Sequence, residues 1–385
     1  MKRSIFLTAA AACLFSCVGG SGGGNGIELL DAAAFRTEIA GKPVALYTLR
    51  NENGMTVQLT NYGARVVALW VPAADGTFRD VVWGYDGIAA YLDSTDKYCG
   101  PIVGRYGNRI ADGRFMLDGR EYRLTVNEGE NHLHGGSGGF ECRVWDARET
   151  VTPDGDPAVE MTYRSPDGEE GYPGNLDIAV VYSLTPDNEL TIDYAATTDA
   201  PTVLNPTSHI YFNLHGTTAR STDSHLLTIR ASRFTPTDAA LIPTGEIRPV
   251  ENTPLDFRTP HAIGERIGRT DYEPLAFGNG YDHNWVLDNP EPGTVATVAE
   301  VCEPATGIRM KIRTDRPGLQ FYAGQGMDGR EVGKRGDRHA LRTGIALETQ
   351  NFPDAPNHDN FPSSVLRPGE TYAQHTVYAF DTVQP

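Results

Sequence analysis

Cysteine is scarce in this 385-residue chain, which contains only five. Cys13 and Cys17 fall in the N-terminal leader, so Cys99, Cys142 and Cys302 remain for the rest of the protein. An odd number of cysteines at these spacings matches neither a disulfide framework nor a zinc-ligand pattern. We therefore expect the three to be small buried hydrophobic residues.

Positive charge is also in deficit. The chain has 33 Lys and Arg against 50 Asp and Glu, a formal net charge of −17 and a pI of about 5.0. No basic patch offsets this balance, so long-range electrostatics oppose binding to nucleic acid and to anionic membrane surfaces. A small neutral molecule is the partner that this charge favours.

A long apolar run is missing as well. The longest apolar stretch, residues 5–15, is too short to span a bilayer. It follows the charged residues Lys2 and Arg3, and this combination is typical of an export signal. Its end, Leu-Phe-Ser-Cys at residues 14–17, resembles a bacterial lipobox. We expect residues 1–17 to be a lipoprotein-type signal segment with lipid on Cys17. The alternative is an ordinary signal peptide cleaved nearby.

Residues 18–26 are nearly all Gly and Ser, which is typical of a flexible tether. These features predict an exported protein anchored in the bacterial cell envelope, in the periplasm or outer membrane. Its contact with the membrane would be limited to the lipid.

From Ile27 onward the chain lacks linkers, low-complexity runs and fixed-period repeats, so residues 27–385 are expected to form one domain, with a monomer favoured. The 42 glycines and 25 prolines imply many turns. Short alternating segments recur, and Asp118-Gly119 and residues 186–188 mark hairpins. Only residues 87–92 suggest helix. The fold class predicted is all-β, a large antiparallel β-sandwich.

The run from Leu204 to Asn213 places one histidine among β-branched and aromatic residues. In a strand, His209 and Tyr211 would share one face, while Ile210 and Phe212 would face the packed side. Such a polar face suits a sugar pocket, although a structural histidine is the plainer interpretation.

Other polar clusters fall at turn-rich points. Asn108 and Arg109 could donate hydrogen bonds to a ligand, or form a salt-bridged surface loop. His132 and His134 form an H-x-H pair that would share one face of a strand, but a metal site needs a third ligand that the spacing does not supply. We therefore predict no metal and take His132 as a scaffold residue.

Three residues later in the chain are further candidates for the functional site. Asp282, between Tyr281 and His283, could bind hydroxyls or cap a turn. Gln320 would share a strand face with Tyr322. Glu348 follows the apolar residues 344–347, a placement at a strand end that would raise its basicity by desolvation.

These residues lie in motifs that resemble the aldose 1-epimerase (galactose mutarotase) family in the family's order. The motifs are GRYGNRI, NHLHGG, SPDGEEGYPG, NPTSHIYFNL, LIPTGE, NGYDHN, GLQFY and LETQNFPDAPNH. The resemblance implies a β-sandwich and places the family's catalytic pair on Glu348 and His209. Its substrate-binding residues fall on a further set: Asn108, Arg109, His134, Tyr211, Asp282 and Gln320. Ser208 departs from the asparagine that many relatives have beside the histidine.

The implied activity is interconversion of the α and β anomers of a free hexose such as glucose or galactose, without cofactor or metal. Glu348 would act as base and His209 as acid. Three alternatives stay open: a glycoside hydrolase using Asp282 and Glu348, a non-catalytic sugar-binding protein, and a phosphosugar epimerase. The last would need further basic residues in the pocket.

Overall fold

The structure is a computed structural model and describes residues 26–289, 291 and 293–384. The predicted signal segment, with Cys17, lies outside these residues, as does the predicted tether apart from Gly26. Within the described part of the chain, no helix is long and apolar enough to cross a membrane.

The described residues are mostly short strands. In chain order these are β1 (Thr37–Ile39), β2 (Lys42–Val44), β3 (Leu46–Arg50), β4 (Thr56–Thr60), β5 (Arg65–Pro72), β6 (Phe78–Asp80), β7 (Ile102–Val103), β8 (Arg109–Ile110), β9 (Arg114–Leu117), β10 (Arg120–Arg123), β11 (His132–Leu133), β12 (Asp146–Val151), β13 (Pro157–Ser165), β14 (Leu176–Leu184), β15 (Glu189–Thr198), β16 (Thr202–Val203), β17 (Thr207–Ser208), β18 (Tyr211–Phe212), β19 (Leu226–Ile229), β20 (Arg233–Thr235), β21 (Arg248–Pro249), β22 (His261–Ala262), β23 (Asp282–Val286), β24 (Ala296–Glu303), β25 (Ile308–Thr314), β26 (Gly318–Tyr322), β27 (Ile345–Gln350), β28 (Val365–Leu366) and β29 (Tyr372–Thr382).

Helix is limited to α1 (Ile88–Asp93), α2 (Ile263–Arg266), α3 (Glu273–Gly278) and single 3-10 turns. The 3-10 turns are Ala32–Phe35, Ala111–Gly113, Phe140–Cys142, Glu169–Gly171, Thr222–Ser224, Lys334–Gly336 and Ala355–Asn357. The helix predicted near residues 87–92 is therefore present. The expectation that it would be the only one was wrong, because α2 and α3 also form and helices of four to six residues give no clear apolar period.

Two large antiparallel sheets dominate the architecture. One has nine strands in the order β12-β13-β14-β15-β29-β25-β24-β19-β22, and the other has six in the order β18-β27-β26-β23-β20-β21. A four-stranded sheet, β3-β4-β5-β6, adds a third layer. The main core joins side chains of all three sheets, among them Val66, Val180 and Leu347. The predicted antiparallel β-sandwich is thus confirmed.

Both predicted hairpins form. β9 pairs with β10 across Asp118-Gly119, where both residues have positive φ (51° and 78°), as a tight two-residue turn requires. β14 pairs with β15 across the second turn, and Asn188 there has φ 60°. Their alternating buried and exposed positions place one face of the sheet against the core.

The cysteines follow the sequence prediction in part. Cys99, Cys142 and Cys302 are free thiols, and Cys99 is fully buried. Cys142 and Cys302 are only partly buried, so the expectation of three buried hydrophobic residues was wrong for these two. Burial of the thiol raises the pKa of Cys142 to about 11, which keeps it protonated near neutral pH.

Candidate active site

A cavity of about 370 Å³ opens beside the six-stranded sheet. Its lining gathers seven of the eight predicted site residues with several that the sequence did not single out. The lining residues are Thr95, Asp96, Tyr98, Asn108, Arg109, Leu133, His134, His209, Tyr211, Asp282, Tyr322, Gly326, Met327, Asp328, Glu331, His339 and Glu348. Carboxyl, imidazole and phenol groups converging on a cavity of this size are typical of a site for a small polyhydroxyl ligand.

His209 and Glu348 lie next to each other in the cavity wall. The Nε2 atom of His209 is 3.7 Å from Oε1 of Glu348, and the two side chains are only 5% and 2% exposed. Glu348 is the fourth residue of β27 and lies opposite Gln320 of β26. It therefore sits inside the buried strand and not at its end, as the sequence had suggested. Pairing of β27 with β18 on one side and with β26 on the other fixes its position.

Burial shifts the protonation of this pair toward its neutral forms. Loss of solvent, reinforced by the nearby Asp282 carboxylate, raises the pKa of Glu348 well above its ordinary value, although Arg109 opposes the shift. Loss of solvent also lowers the pKa of His209 to about 4, against the backbone carbonyls of His209 and Tyr98, which favour the protonated ring. Burial therefore favours the uncharged carboxyl of Glu348 and the uncharged imidazole of His209.

The segment around His209 is not one continuous strand. β17 pairs with β7 and β18 pairs with β27, so His209 and Ile210 lie between two separate ladders. The predicted sidedness is nevertheless present, because the His209 and Tyr211 rings are 4.9 Å apart in the cavity while Ile210 and Phe212 join the core. Ser208 pairs in β17 and its hydroxyl has no hydrogen-bond partner among the described residues.

His134 is held in one tautomer by the backbone of Asn108. The N–H of Asn108 donates to Nδ1 of His134 over 3.1 Å, and the N–H of His134 donates to the Asn108 carbonyl over 3.0 Å. Both residues have positive φ, 63° and 52°, which lets the two loops approach each other. Because Nδ1 accepts, the neutral ring carries its proton on Nε2, where it can donate to a ligand oxygen.

The H-x-H pair does not act as a unit. β11 ends at Leu133, and His134 has a positive φ and lines the cavity with its ring centroid 5.1 Å from that of His209. His132 is fully buried, with Nδ1 2.6 Å from the Thr125 carbonyl and Nε2 2.6 Å from the Tyr172 hydroxyl. The expected shared strand face was wrong, because two residues are too few to continue the alternation, and His132 lies in the scaffold.

A different group of three potential metal ligands, without His132, does exist among the described residues, in a place that spacing could not reveal. One donor atom each from His134, His209 and Glu348 lie within 4.8 Å of one another. The tautomer of His134 opposes metal binding, because its Nε2 carries a proton while Nδ1 is occupied by the Asn108 N–H. The metal-free site stays a prediction.

Arg109 lies at the centre of a charged network on one wall. Its Nη1 is 3.8 Å from Oδ2 of Asp282, the first residue of β23. Gln320 donates from Nε2 to Oδ1 of Asp282 over 2.6 Å and does not itself line the cavity. Burial alone would lower the pKa of Arg109, but Asp282 and Glu128 outweigh it and leave that pKa raised. Gln320 thus orients Asp282 in this structure.

Aromatic rings form the opposite part of the wall. Trp83 is stacked between Tyr211 (4.6 Å between ring centroids) and His339 (4.3 Å). Tyr98 lies 4.6 Å from His134 and Tyr322 lies 6.2 Å from Tyr211, again between centroids. Flat apolar ring faces beside hydrogen-bonding groups are what a sugar ring requires.

Several of these residues were missed by the sequence analysis. Asp96, Tyr98, Glu331 and His339 line the cavity from loops outside the recognised motifs. Burial raises the pKa of Asp96 to about 6. Tyr322 was visible as the partner of Gln320 on alternating β26, but the other four carry no pattern in the sequence that would have identified them.

The fold and the cavity together define a β-sandwich protein with an acid–base pocket for a small polar molecule. A sequence model of the family described as aldose 1-epimerase matches residues 45–379. The chain belongs to the aldose 1-epimerase family, as its motifs had indicated.

Comparisons with individual relatives support this family assignment. The chain is 40% identical over 326 residues to galactose mutarotase of Bos taurus, covering 85% of this chain and 91% of the relative. It is 37% identical over 343 residues to aldose 1-epimerase of Escherichia coli (strain K12), covering 88% and 96%. The solved structure of a GalM/aldose epimerase homologue from C. elegans matches with a TM-score of 0.80 and 32% identity, over 89% of this chain and 100% of that one.

Proposed function

We propose that the protein interconverts the α and β anomers of free hexoses such as glucose and galactose, with Glu348 and His209 as the proton-transfer pair. The observation that carries the proposal is the buried carboxyl–imidazole contact of 3.7 Å in the wall of a polar cavity. The names of the relatives, galactose mutarotase and aldose 1-epimerase, support the same reaction class.

Ring opening would begin with His209 protonated and Glu348 ionised. Arg109 favours that carboxylate, since its charge lowers the pKa of Glu348. Glu348 then removes the proton of the C1 hydroxyl, the bond between C1 and the ring oxygen breaks, and His209 protonates the ring oxygen. After rotation about the C1–C2 bond, the two groups reverse their roles and the ring closes on the other face.

The remaining side chains would hold the sugar. His134 donates from Nε2, Arg109 and Asn108 offer further donors, and Asp282, braced by Gln320, accepts from hydroxyls. Tyr211 would carry part of the ring face. Such groups bind substrate and transition state alike, so their loss should affect KM more than kcat.

The test is polarimetry of freshly dissolved α-glucose and α-galactose, corrected for the spontaneous rate. Glu348→Gln and His209→Asn should each lower kcat by roughly 100- to 10,000-fold, the usual contribution of a positioned acid or base. The double variant should cost less than the product of the single losses, because both groups serve one step. Asp282→Asn should mainly raise KM, whereas Arg109→Ala should raise KM and also lower kcat, because Arg109 favours the ionised form of Glu348.

Circular dichroism and unfolding midpoints identify any variant that fails to fold. A folded Glu348→Gln enzyme within a fewfold of the wild-type rate contradicts the assignment of the base. Loss of activity only in the binding variants would place the chemistry elsewhere in the cavity.

We also propose that the enzyme acts outside the cytoplasm, exported by residues 1–17 and held by lipid on Cys17. The support is the sequence alone: a charged start, a short apolar run and the Leu-Phe-Ser-Cys motif ahead of a Gly/Ser segment. Free sugars in the envelope would then be its substrates.

A further inference from the structure

The charges around the cavity are strongly unbalanced. Among the described lining residues, Arg109 is the one permanent cation, while five carboxyl groups line the same space. The five belong to Asp96, Asp282, Asp328, Glu331 and Glu348. An anionic sugar entering this cavity would therefore depend on Arg109 for electrostatic compensation.

The guanidinium of Arg109 already binds a carboxylate from a residue outside the cavity lining, Glu128. Glu128 accepts from Nε of Arg109 over 3.0 Å and from Nη2 over 2.7 Å, so one carboxylate occupies the whole Nε–Nη2 edge. This fork is the geometry with which arginine binds carboxylates and phosphates most tightly. Asp282 lies 3.8 Å from the remaining Nη1. Two internal carboxylates thus outweigh the single positive charge.

The two partners of Arg109 differ in their placement. Asp282 lines the cavity, whereas Glu128 is in the segment before β11 and its side chain is 35% exposed. Glu128 therefore occupies the anion-binding edge of Arg109 without offering its own carboxylate to a sugar in the cavity.

We propose that Glu128 is a specificity-determining residue that restricts the pocket to neutral aldoses and excludes uronic acids and sugar phosphates. It does so by occupying the anion-binding edge of Arg109 and cancelling its charge. The inference rests on the proposed sugar-epimerising function and adds the residue that keeps anionic sugars out of the site. Glu128 acts through Arg109 and takes no part in proton transfer.

The test compares Glu128→Gln with wild type on matched neutral and anionic sugars at pH 7 and low salt. Glucose is paired with glucuronate and with glucose 6-phosphate, and galactose with galacturonate. Removing one negative charge beside Arg109 should raise the anionic-to-neutral ratio of kcat/KM on the order of tenfold. Added salt should shrink that gain because screening weakens charge interactions. Glu130→Gln, an exposed neighbour on the same loop, should leave the ratio unchanged.

The outcomes separate the two hypotheses. If wild type does not accelerate interconversion of glucose or galactose, the proposed function fails. If wild type is active and the ratio in Glu128→Gln stays within twofold of wild type, the specificity role is wrong. An equal loss on neutral and anionic sugars, in a variant with an unchanged unfolding midpoint, would mean that Glu128 only positions Arg109, and it also overturns the proposal.

Discussion

At the scale of single residues, the buried carboxyl groups of this protein fall into two kinds, those that line the cavity and those that lie outside it. Glu348 and Asp96 line the cavity, and burial raises the pKa of each. Glu141 is equally buried but lies outside the cavity lining, and burial raises its pKa to about 7. A raised pKa alone therefore does not identify a candidate catalytic residue, which must also line the cavity.

Glu141 should make the stability of the protein depend on pH. Its pKa is about 7 in the folded chain against an ordinary value of 4.5, so the folded state binds the proton more tightly than the unfolded state does. The resulting stabilisation is fully present below pH 4.5 and is lost as the pH rises through about 7. We expect Glu141→Gln to gain up to about 3 kcal/mol relative to wild type between pH 4.5 and pH 8.

Urea unfolding of wild type and Glu141→Gln at both pH values measures this difference, because every other titrating group is common to the two proteins. The Cys142 thiol donates to Oε1 of Glu141 over 3.3 Å, while Oε2 has no partner among the described residues, so an amide can replace the carboxyl. Glu52→Gln, on an exposed turn, is the matched control. An equal difference between wild type and Glu141→Gln at the two pH values would be incompatible with this account.

At the scale of elements, the start of β27 decides where Glu348 lies. Gly344 directly precedes the strand, and a Cβ atom there would lie 2.4 Å from Cε2 of Trp83. Trp83 cannot yield easily, since it is stacked between two rings and donates from Nε1 to the Thr343 carbonyl over 2.9 Å. Gly344→Ala should therefore cost roughly 1–3 kcal/mol of unfolding free energy, as overpacking of a core does. It should also lower activity by displacing the strand.

Chemical denaturation and polarimetry on the same preparations check this prediction. Gly268→Ala is the control, because a Cβ at Gly268 meets nothing within 4 Å and its φ is not positive. That substitution should change stability by less than about 1 kcal/mol. Equal stabilities of the Gly344 and Gly268 variants would show that Trp83 can move.

The sequence could predict elements whose pattern is local and failed where the pattern is set by distant partners. The hairpin at Asp118-Gly119 is encoded by its own turn residues, and it forms as predicted. The break between β17 and β18 has no local signal, because it arises when the chain leaves β7 and joins β27. The role of Gln320 behind Asp282 likewise depends on the pairing of β23 with β26.

At the scale of the whole molecule, alternation and turn content were enough to predict a sandwich but not its strand order. β15 pairs with β29, so Leu190 lies opposite Tyr378, a partner far along the chain. Backbone hydrogen bonds between strands form whatever the side chains are. Which strands pair is therefore determined by how their side chains pack in the complete core. The catalytic candidates could be named from motifs, whereas the loop residues of the wall required the assembled fold.

Anchoring is the last property that belongs to the whole molecule, and it rests on the sequence of the leader. Wild-type protein expressed in its own cells, or in a bacterium with a lipoprotein pathway, should be found in the membrane fraction. Cys17→Ala should release it to the soluble envelope fraction with unchanged specific activity, because the predicted tether precedes the packed domain, in which Phe35 is already buried. Metabolic labelling with a tagged fatty acid should mark wild type and spare the variant, with Cys13→Ala as the matched control.

Equal solubility of wild type and Cys17→Ala, with no label in either, would mean that the leader is simply cleaved and that the enzyme meets its sugar in free solution. If Cys17 carries lipid, the anchor would hold the proposed pocket for neutral sugars at the membrane surface. The net negative charge of the protein would keep the domain itself away from anionic lipids.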